Sequence, residues 1–371
     1  QRQMCIRDRN MALNSYATPD GKEIGRAQAV QAEAARVECH TDMNPLLLKP
    51  SSDKTSQVVL NGVPIGNRDA YDYFRTQGRE TLRAAVHEAF DRLAARFNPI
   101  VMEGAGSIAE LNLKETDLVN MSMARYADAD VILVADIDRG GVFASVYGSI
   151  MLQSPDDRKR IKGVIVNKFR GDMRLFDSGR KLMEEICGVP VLGVVPFLND
   201  VHIEEEDSVS LASKQNTASE DGRVNVAVVR LSHISNFTDF NVLEKDPRVN
   251  LFYTNNVAEL TNADIIILPG SKSTIADLRD IKNNGVAAAI LKAHRRGCAV
   301  VGICGGYQMM GREVRDPEGV EGAPGSIAGL GLLPAVTTLT ASKVTRQVEF
   351  AHNGSTCHGY EIHMGRTDIS G

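Results

Sequence analysis

Val300-Val-Gly-Ile-Cys-Gly-Gly-Tyr-Gln308 is the stretch on which the reading of the fold turns. An apolar run ends at Gly302, a cysteine stands at position 304, two glycines follow, and a helix-like segment begins. G-x-C-x-G is the thiol form of the strand-turn-helix elbow, which presents a nucleophile at a strained, exposed point. Small neighbours let the backbone bend sharply and let a substrate approach. A helix N-terminus behind the thiol favours the thiolate, and the Gly305 N–H is placed to meet a developing oxyanion. Cys304 is therefore the candidate nucleophile. Cys5, Cys39, Cys187, Cys298 and Cys357 lack this setting and read as structural or incidental.

Outward from the elbow, short β-branched runs alternate with helical periodicity, the pattern of βα units around parallel sheets. On the elbow's side, strands are expected at Val224–Leu231, Asn250–Tyr253, Ile265–Leu268 and Ala299–Ile303, with helices at Ser273–Lys282 and Val286–Arg296. Towards the N-terminus, strands are expected at Ile100–Met102, Val131–Ala135, Val164–Asn167 and Val189–Val195. Helices are expected at Ile24–Arg36, Arg79–Phe97, Met173–Ile186 and part of Val142–Leu152. In Arg79–Phe97 the residues Leu82, Val86, Phe90, Leu93 and Phe97 recur at spacings of three and four, one apolar helix face. Between the two halves, Glu204-Glu-Glu-Asp207 and the aperiodic Ser213–Gly222 read as a linker. The expectation is α/β, with two doubly wound domains over residues 10–203 and 224–371 and a linker over 204–223. Residues 1–9 (QRQMCIRDR) do not read like the rest and are expected to be a non-native leader.

Composition bounds the function. The 371 residues are 43% hydrophobic and 24% charged, enough for real cores and against wholesale disorder. A net charge of −5 argues against a nucleic-acid partner. No apolar run approaches the roughly 18 residues of a membrane span, and no signal-peptide core is present at the start. Six cysteines without paired spacing make neither a disulfide framework nor a zinc site, so a reducing, cytoplasmic location is the default.

Chemistry is also concentrated at strand ends in the first half. Val101-Met-Glu-Gly-Ala-Gly-Ser107 places Glu103 beside a Gly-rich turn, a setting for a Mg²⁺–phosphate contact or for a plain tight turn. Ala135-Asp-Ile-Asp-Arg-Gly-Gly141 repeats the arrangement, and Val164-Ile-Val-Asn-Lys168 ends another strand with Asn167 and Lys168, which suit nucleotide recognition. Open α/β sheets bind ligands at such ends. Gly270-Ser-Lys-Ser-Thr274 lacks the G-x-x-x-x-G-K-[ST] spacing and is not a phosphate loop.

The elbow Gly302–Met309 resembles the nucleophile motif of class I glutamine amidotransferase domains of flavodoxin-like fold, and Leu268-Pro-Gly-Ser-Lys-Ser-Thr274 resembles their oxyanion loop. That likeness implies oxyanion donors near Gly270, Ser271 and Gly305. Further segments join the pattern: Asn10-Met-Ala-Leu-Asn-Ser15, Ile24-Gly-Arg-Ala-Gln28, Asp42–Pro50, Ser51-Ser-Asp53, Ile234-Ser-Asn-Phe-Thr-Asp-Phe240 and Gly359-Tyr-Glu-Ile-His-Met-Gly-Arg-Thr367. From Asn10 to Thr367 the chain resembles the cobyric acid synthase family. The resemblance implies a dethiobiotin-synthetase-like, P-loop-type synthetase domain fused to an amidotransferase domain. It also implies glutamine and a corrinoid as substrates, with ATP and Mg²⁺ as cofactors. On it, Cys304 attacks glutamine, and the ammonia released passes to corrin carboxylates activated as acyl phosphates. Glu103 is then expected at Mg²⁺ or phosphate, Asn167 and Lys168 near the nucleotide, and Asn44, Lys49 and Ser51 at the corrinoid carboxylate.

Two departures accompany the resemblance. The family's phosphate loop belongs where residues 1–9 stand, and its catalytic His belongs to a His-Gly motif beyond Thr367, so truncation at both ends and weak ATP binding are expected. His358 and His363 are the nearest in-chain alternatives to that base. Two other readings stay open: a related amidotransferase such as cobyrinic acid a,c-diamide synthase, and a nucleotide-dependent regulator of the ParA/MinD type. The second has no need of a thiol nucleophile.

Overall fold

A computed structural model describes residues 4–6, 9–11, 14–50, 55–69, 79–198, 214, 216–219 and 221–369. The expected α/β architecture with parallel sheets is present. In the second half, four parallel strands lie in the order Val249–Thr254, Val224–Val229, Ile265–Leu268, Ala299–Gly302. Their apolar runs are buried by helices that include Thr274–Asn283 and Val286–Arg295, which contribute Leu278, Ile281, Val286 and Ile290 to the core. Both faces of such a sheet are covered, so its strands are continuous apolar runs rather than alternating ones.

In the first half, a parallel sheet runs in the order Val191–Pro196, Ile161–Phe169, Val131–Asp136. Asn167 stands in register with Asp136, so the polar ends of these two strands are neighbours. The helix Arg79–Ala94 buries Leu82, Val86 and Leu93, as its spacing predicts. The expected helix at Ile24–Arg36 is shorter, Arg26–Ala34, because Glu23–Gly25 pairs antiparallel with Ser15–Ala17 instead. The expected helix from Met173 is a 3-10 turn, Met173–Phe176, followed by Asp177–Cys187.

Three features differ from the sequence reading. Residues 1–9 are set aside there, yet Met4–Ile6 pairs with Ile100–Met102 and Arg9–Met11 with Leu46–Leu48, both in parallel. An open strand edge offers backbone donors and acceptors to any extended segment. Leu46–Pro50, Thr55–Leu60 and Val63–Asp69 form an antiparallel meander that was not anticipated. Ala335–His352 and Ser355–Ile369 form a long antiparallel hairpin that carries the Gly359–Thr367 segment.

The hairpin ties the halves together. Gln347 Nε2 donates to the Ala17 carbonyl at 3.0 Å, and Tyr360 meets Tyr16 edge-on with ring centroids 5.2 Å apart. Asn236 Oδ1 accepts the Ser15 N–H at 3.0 Å while its Nδ2 donates to the Tyr360 hydroxyl at 3.1 Å. The described end of the linker leans on the second half, where Lys214 pairs with Glu244 at 2.7 Å and the Ala218 N–H donates to Glu259 at 2.9 Å.

Candidate active site

The strand Ala299–Gly302 delivers the chain into Cys304, and the helix Gly305–Met310 leaves it. Cys304 has φ +49° and ψ −111°, a conformation that costs a non-glycine residue energy and is held only by tight surroundings. The glycines are sterically required. A Cβ on Gly306 would collide with the Leu268 carbonyl oxygen, and one on Gly305 would lie 2.9 Å from the Ser271 nitrogen. The second distance also shows that the Ser271 and Gly305 backbones converge beside the thiol, the arrangement an oxyanion requires.

The loop Gly270–Ser271 is fixed from two sides. It pairs antiparallel with Ile234–Ser235, and the Ser271 hydroxyl donates to Asp277 Oδ2 at 2.6 Å. Asp277 is buried, and its carboxylate also lies 2.8 Å from His233 Nδ1. Sequence reasoning missed Asp277 and His233. The available signal was an acidic residue in the first turn of a helix that follows a Ser-rich loop, which is ordinary for a helix start.

Cys304 opens onto a cavity of about 830 Å³ lined by both halves of the chain, Lys49 and Thr55 from the first and the oxyanion loop, Lys343 and Tyr360–Met364 from the second. Its surface faces this cavity with protein on most sides, so the thiol is reachable and yet largely desolvated. Burial raises its pKa, opposed by the Gly305 N–H and by the Lys49 and Lys343 ammonium groups. The thiolate bias expected from the helix start is thus outweighed by burial. Cys304 Sγ contacts the Ile362 carbonyl at 3.6 Å.

At the cavity wall, Lys49 and Lys343 both pair with the fully buried Glu23, Lys49 at 2.7 Å. Lys49 also donates to the Ser15 hydroxyl at 2.6 Å. Burial alone would raise the Glu23 carboxyl, but the two ammonium groups hold it well below the usual carboxylate range. Glu23 and Lys343 carried no sequence signal that set them apart from surface charges.

The remaining expected site residues are scattered. Asn44 is buried away from the cavity, its amide accepting from the Gly25 N–H at 3.1 Å and donating to the Leu46 carbonyl at 3.3 Å. Those contacts tie the end of the strand Glu23–Gly25 to the start of the strand Leu46–Pro50. Ser51 lies outside the described residues. Glu103 is exposed and accepts from Gln31 Nε2 at 2.9 Å. Its Gly-rich turn is clamped by Asn120, which bonds the Ala105 N–H and carbonyl at 3.1 and 3.0 Å. Asn167 accepts the Lys168 N–H, and Lys168 Nζ pairs with Asp136 at 2.9 Å. Among the described residues no three His, Cys, Asp or Glu side chains cluster as a metal site. His363 lines the thiol's cavity and bonds Glu361 Oε1 at 2.7 Å, whereas His358 lies towards the hairpin tip beside Glu349.

Comparison with known proteins follows this geometry. A family model described as a CobB/CobQ-like glutamine amidotransferase domain matches residues 225–371, and an AAA domain model matches residues 68–205. A cobyric acid synthase of Phocaeicola vulgatus is 71% identical over 360 residues, covering 96% of this chain and 72% of that protein. One from Bacteroides fragilis is 69% identical with the same coverage, and one from Parabacteroides distasonis is 59% identical over 98% of this chain and 74% of that protein. The chain belongs to the cobyric acid synthase family. It is accordingly an enzyme of the glutamine amidotransferase ligase class, and the AAA match together with family membership implies ATP use. No helix among the described residues is long and apolar enough to cross a membrane.

Proposed function

We propose that this protein uses glutamine and ATP to amidate peripheral carboxylates (b, d, e and g) of adenosylcobyrinic acid a,c-diamide, giving adenosylcobyric acid in cobalamin biosynthesis. The observation that carries this reading is the strained Cys304, set beside converging backbone nitrogens in a cavity shared with the synthetase half. Cys304 Sγ attacks the glutamine side-chain carbonyl. The Ser271 and Gly305 N–H groups stabilise the oxyanion, with Gly270 setting the loop. Ammonia leaves as the thioester forms, and water releases glutamate. A histidine of the family's His-Gly motif serves as base. His363 is the second candidate, favoured by its place in the cavity and its bond to Glu361.

In the synthetase half, ATP with Mg²⁺ supplies the activation of the carboxylate that ammonia then converts to the amide. Glu103, Asn167 and Lys168 stand at C-terminal strand ends, where α/β sheets hold such ligands. Glu103 is an exposed carboxylate that accepts from Gln31, and an exposed carboxylate suits Mg²⁺, which keeps several waters and takes its remaining ligands from phosphates. Lys49 contributes at the junction as a cation fixed on Glu23. A cytoplasmic location fits this chemistry.

The test is isotope transfer from amide-¹⁵N glutamine to the corrinoid by a version extended at both ends to the family length. Incorporation that Cys304→Ala abolishes with glutamine, but leaves intact with added ammonia, supports the proposal. Loss of amidation with both nitrogen sources would refute the assigned division of labour.

A further inference from the structure

Most of the charges facing the Cys304 cavity have side-chain partners. Lys49 and Lys343 both sit on Glu23, and Glu361 is paired with Arg346 and His363. Asp239 accepts the Tyr360 hydroxyl at 3.0 Å. Lys272 and Glu321 remain. Both line the cavity, and each lies in the other's electric field. Among the described residues neither forms an ion pair within 4.0 Å, with each other or with anything else.

Both are held in place by backbone contacts on the same loop. Lys272 directly follows Ser271 of the oxyanion loop, and its N–H donates to the His233 carbonyl at 2.9 Å. Glu321 accepts the Ile275 N–H at 2.9 Å, at the start of the helix that the same loop enters. Burial pushes Lys272 down to about 8 and Glu321 up, the second opposed by hydrogen bonds from the Ile275 and Thr274 N–H groups and the Thr274 hydroxyl, which hold the carboxylate without supplying a counter-charge. A cation and an anion that line one cavity without counter-charges are satisfied together by a zwitterion. The cavity also holds a nucleophile for an amide, so the fitting ligand carries an amide at one end and an α-amino acid head at the other.

We infer that Lys272 and Glu321 recognise the amino-acid head of glutamine, Lys272 taking the α-carboxylate and Glu321 the α-ammonium. The inference rests on Cys304 being the glutamine nucleophile. Discrimination then comes from the head group: a simple amide reaching the thiol would leave both charges unpaired, which a buried site penalises.

The experiment compares two electrophiles on a version extended through the family's His-Gly motif, with adducts at Cys304 quantified over time by peptide mass mapping. 6-Diazo-5-oxo-L-norleucine carries the amino-acid head and iodoacetamide does not. Lys272→Met and Glu321→Gln are each expected to lower the ratio of the first rate to the second by at least about tenfold, the loss of one charge-assisted contact. Lys272→Arg is expected to restore most of it. Because the ratio is internal to each variant, a general loosening of the cavity moves both rates and does not imitate the result. If the unaltered chain reacts with the diazo compound at Cys304 and neither variant changes the ratio, the head-group assignment is overturned while the nucleophile stands. If iodoacetamide labels Cys304 and the diazo compound does not, the nucleophile reading itself fails, and the inference fails with it.

Discussion

Glu23→Gln tests the seam between the halves. Glu23 is fully buried and is the counter-charge for two ammonium groups from different parts of the chain, Lys49 in the strand Leu46–Pro50 and Lys343 in the long hairpin. Substitution keeps the shape and removes the charge, which leaves two buried ammonium groups facing a neutral amide. Removing one member of a buried ion pair costs about 3–5 kcal/mol, and the glutamine carbonyl can still accept one hydrogen bond, so about 3 kcal/mol is expected. With a denaturant slope of about 1–3 kcal/mol per molar urea, the midpoint of the first unfolding transition at pH 7 should fall by about 1–3 M. Circular dichroism follows it, since the chain has no tryptophan. Adding Lys343→Met should recover part of the loss, because it deletes one of the stranded charges. The pH dependence has a definite sign. The folded Glu23 carboxyl lies below its ordinary 4.5, so its contribution is full above that value and is lost as pH falls towards the lowered folded one. The gap between parent and variant should be constant at neutral pH and shrink in acid. A midpoint shift below about 0.3 M, or strictly additive effects in the double variant, would refute the reasoning.

Other predictions follow from the site. Gly306→Ala forces the Leu268 carbonyl aside and should cost about 1–3 kcal/mol by overpacking, read as a lower thermal midpoint together with slower iodoacetamide labelling of Cys304. Asp277→Ala strands the Ser271 hydroxyl and His233 and should destabilise by about 1.5–3 kcal/mol in the same denaturation assay. Lys272 loses its proton above about 8 in the free protein, so calorimetric affinity of the Cys304→Ala chain for L-glutamine should fall as pH rises through that value. Lys272→Met should flatten that dependence, and an unchanged slope would contradict a carboxylate contact.

The legibility of the sequence divides along physical lines. The parallel strands were readable because both of their faces are buried, and runs such as Ile265–Leu268 have no other stable use. The elbow was readable because close backbone approach at Gly305 and Gly306 permits no side chain. The seam was not. Glu23 and Lys343 meet across the two halves, as do Tyr360 and Tyr16, and a buried charge looks in sequence like a solvated one. The hairpin Ala335–Ile369 mixes polar and apolar residues for the same reason: one stretch meets the first half through Gln347 and Tyr360, and periodicity reports only apolar burial. Asn44 is likewise buried, with its amide bonded to the Gly25 N–H and the Leu46 carbonyl, contacts that no local pattern announces.

Ammonia release from L-glutamine, measured on the 371-residue chain and on a version extended through the family's His-Gly motif, each with and without Cys304→Ala, tests the central claim most directly. The account predicts hydrolysis by the extended form and its abolition by Cys304→Ala. Hydrolysis that survives Cys304→Ala, or no hydrolysis from either form, would contradict the assignment of Cys304 as the nucleophile.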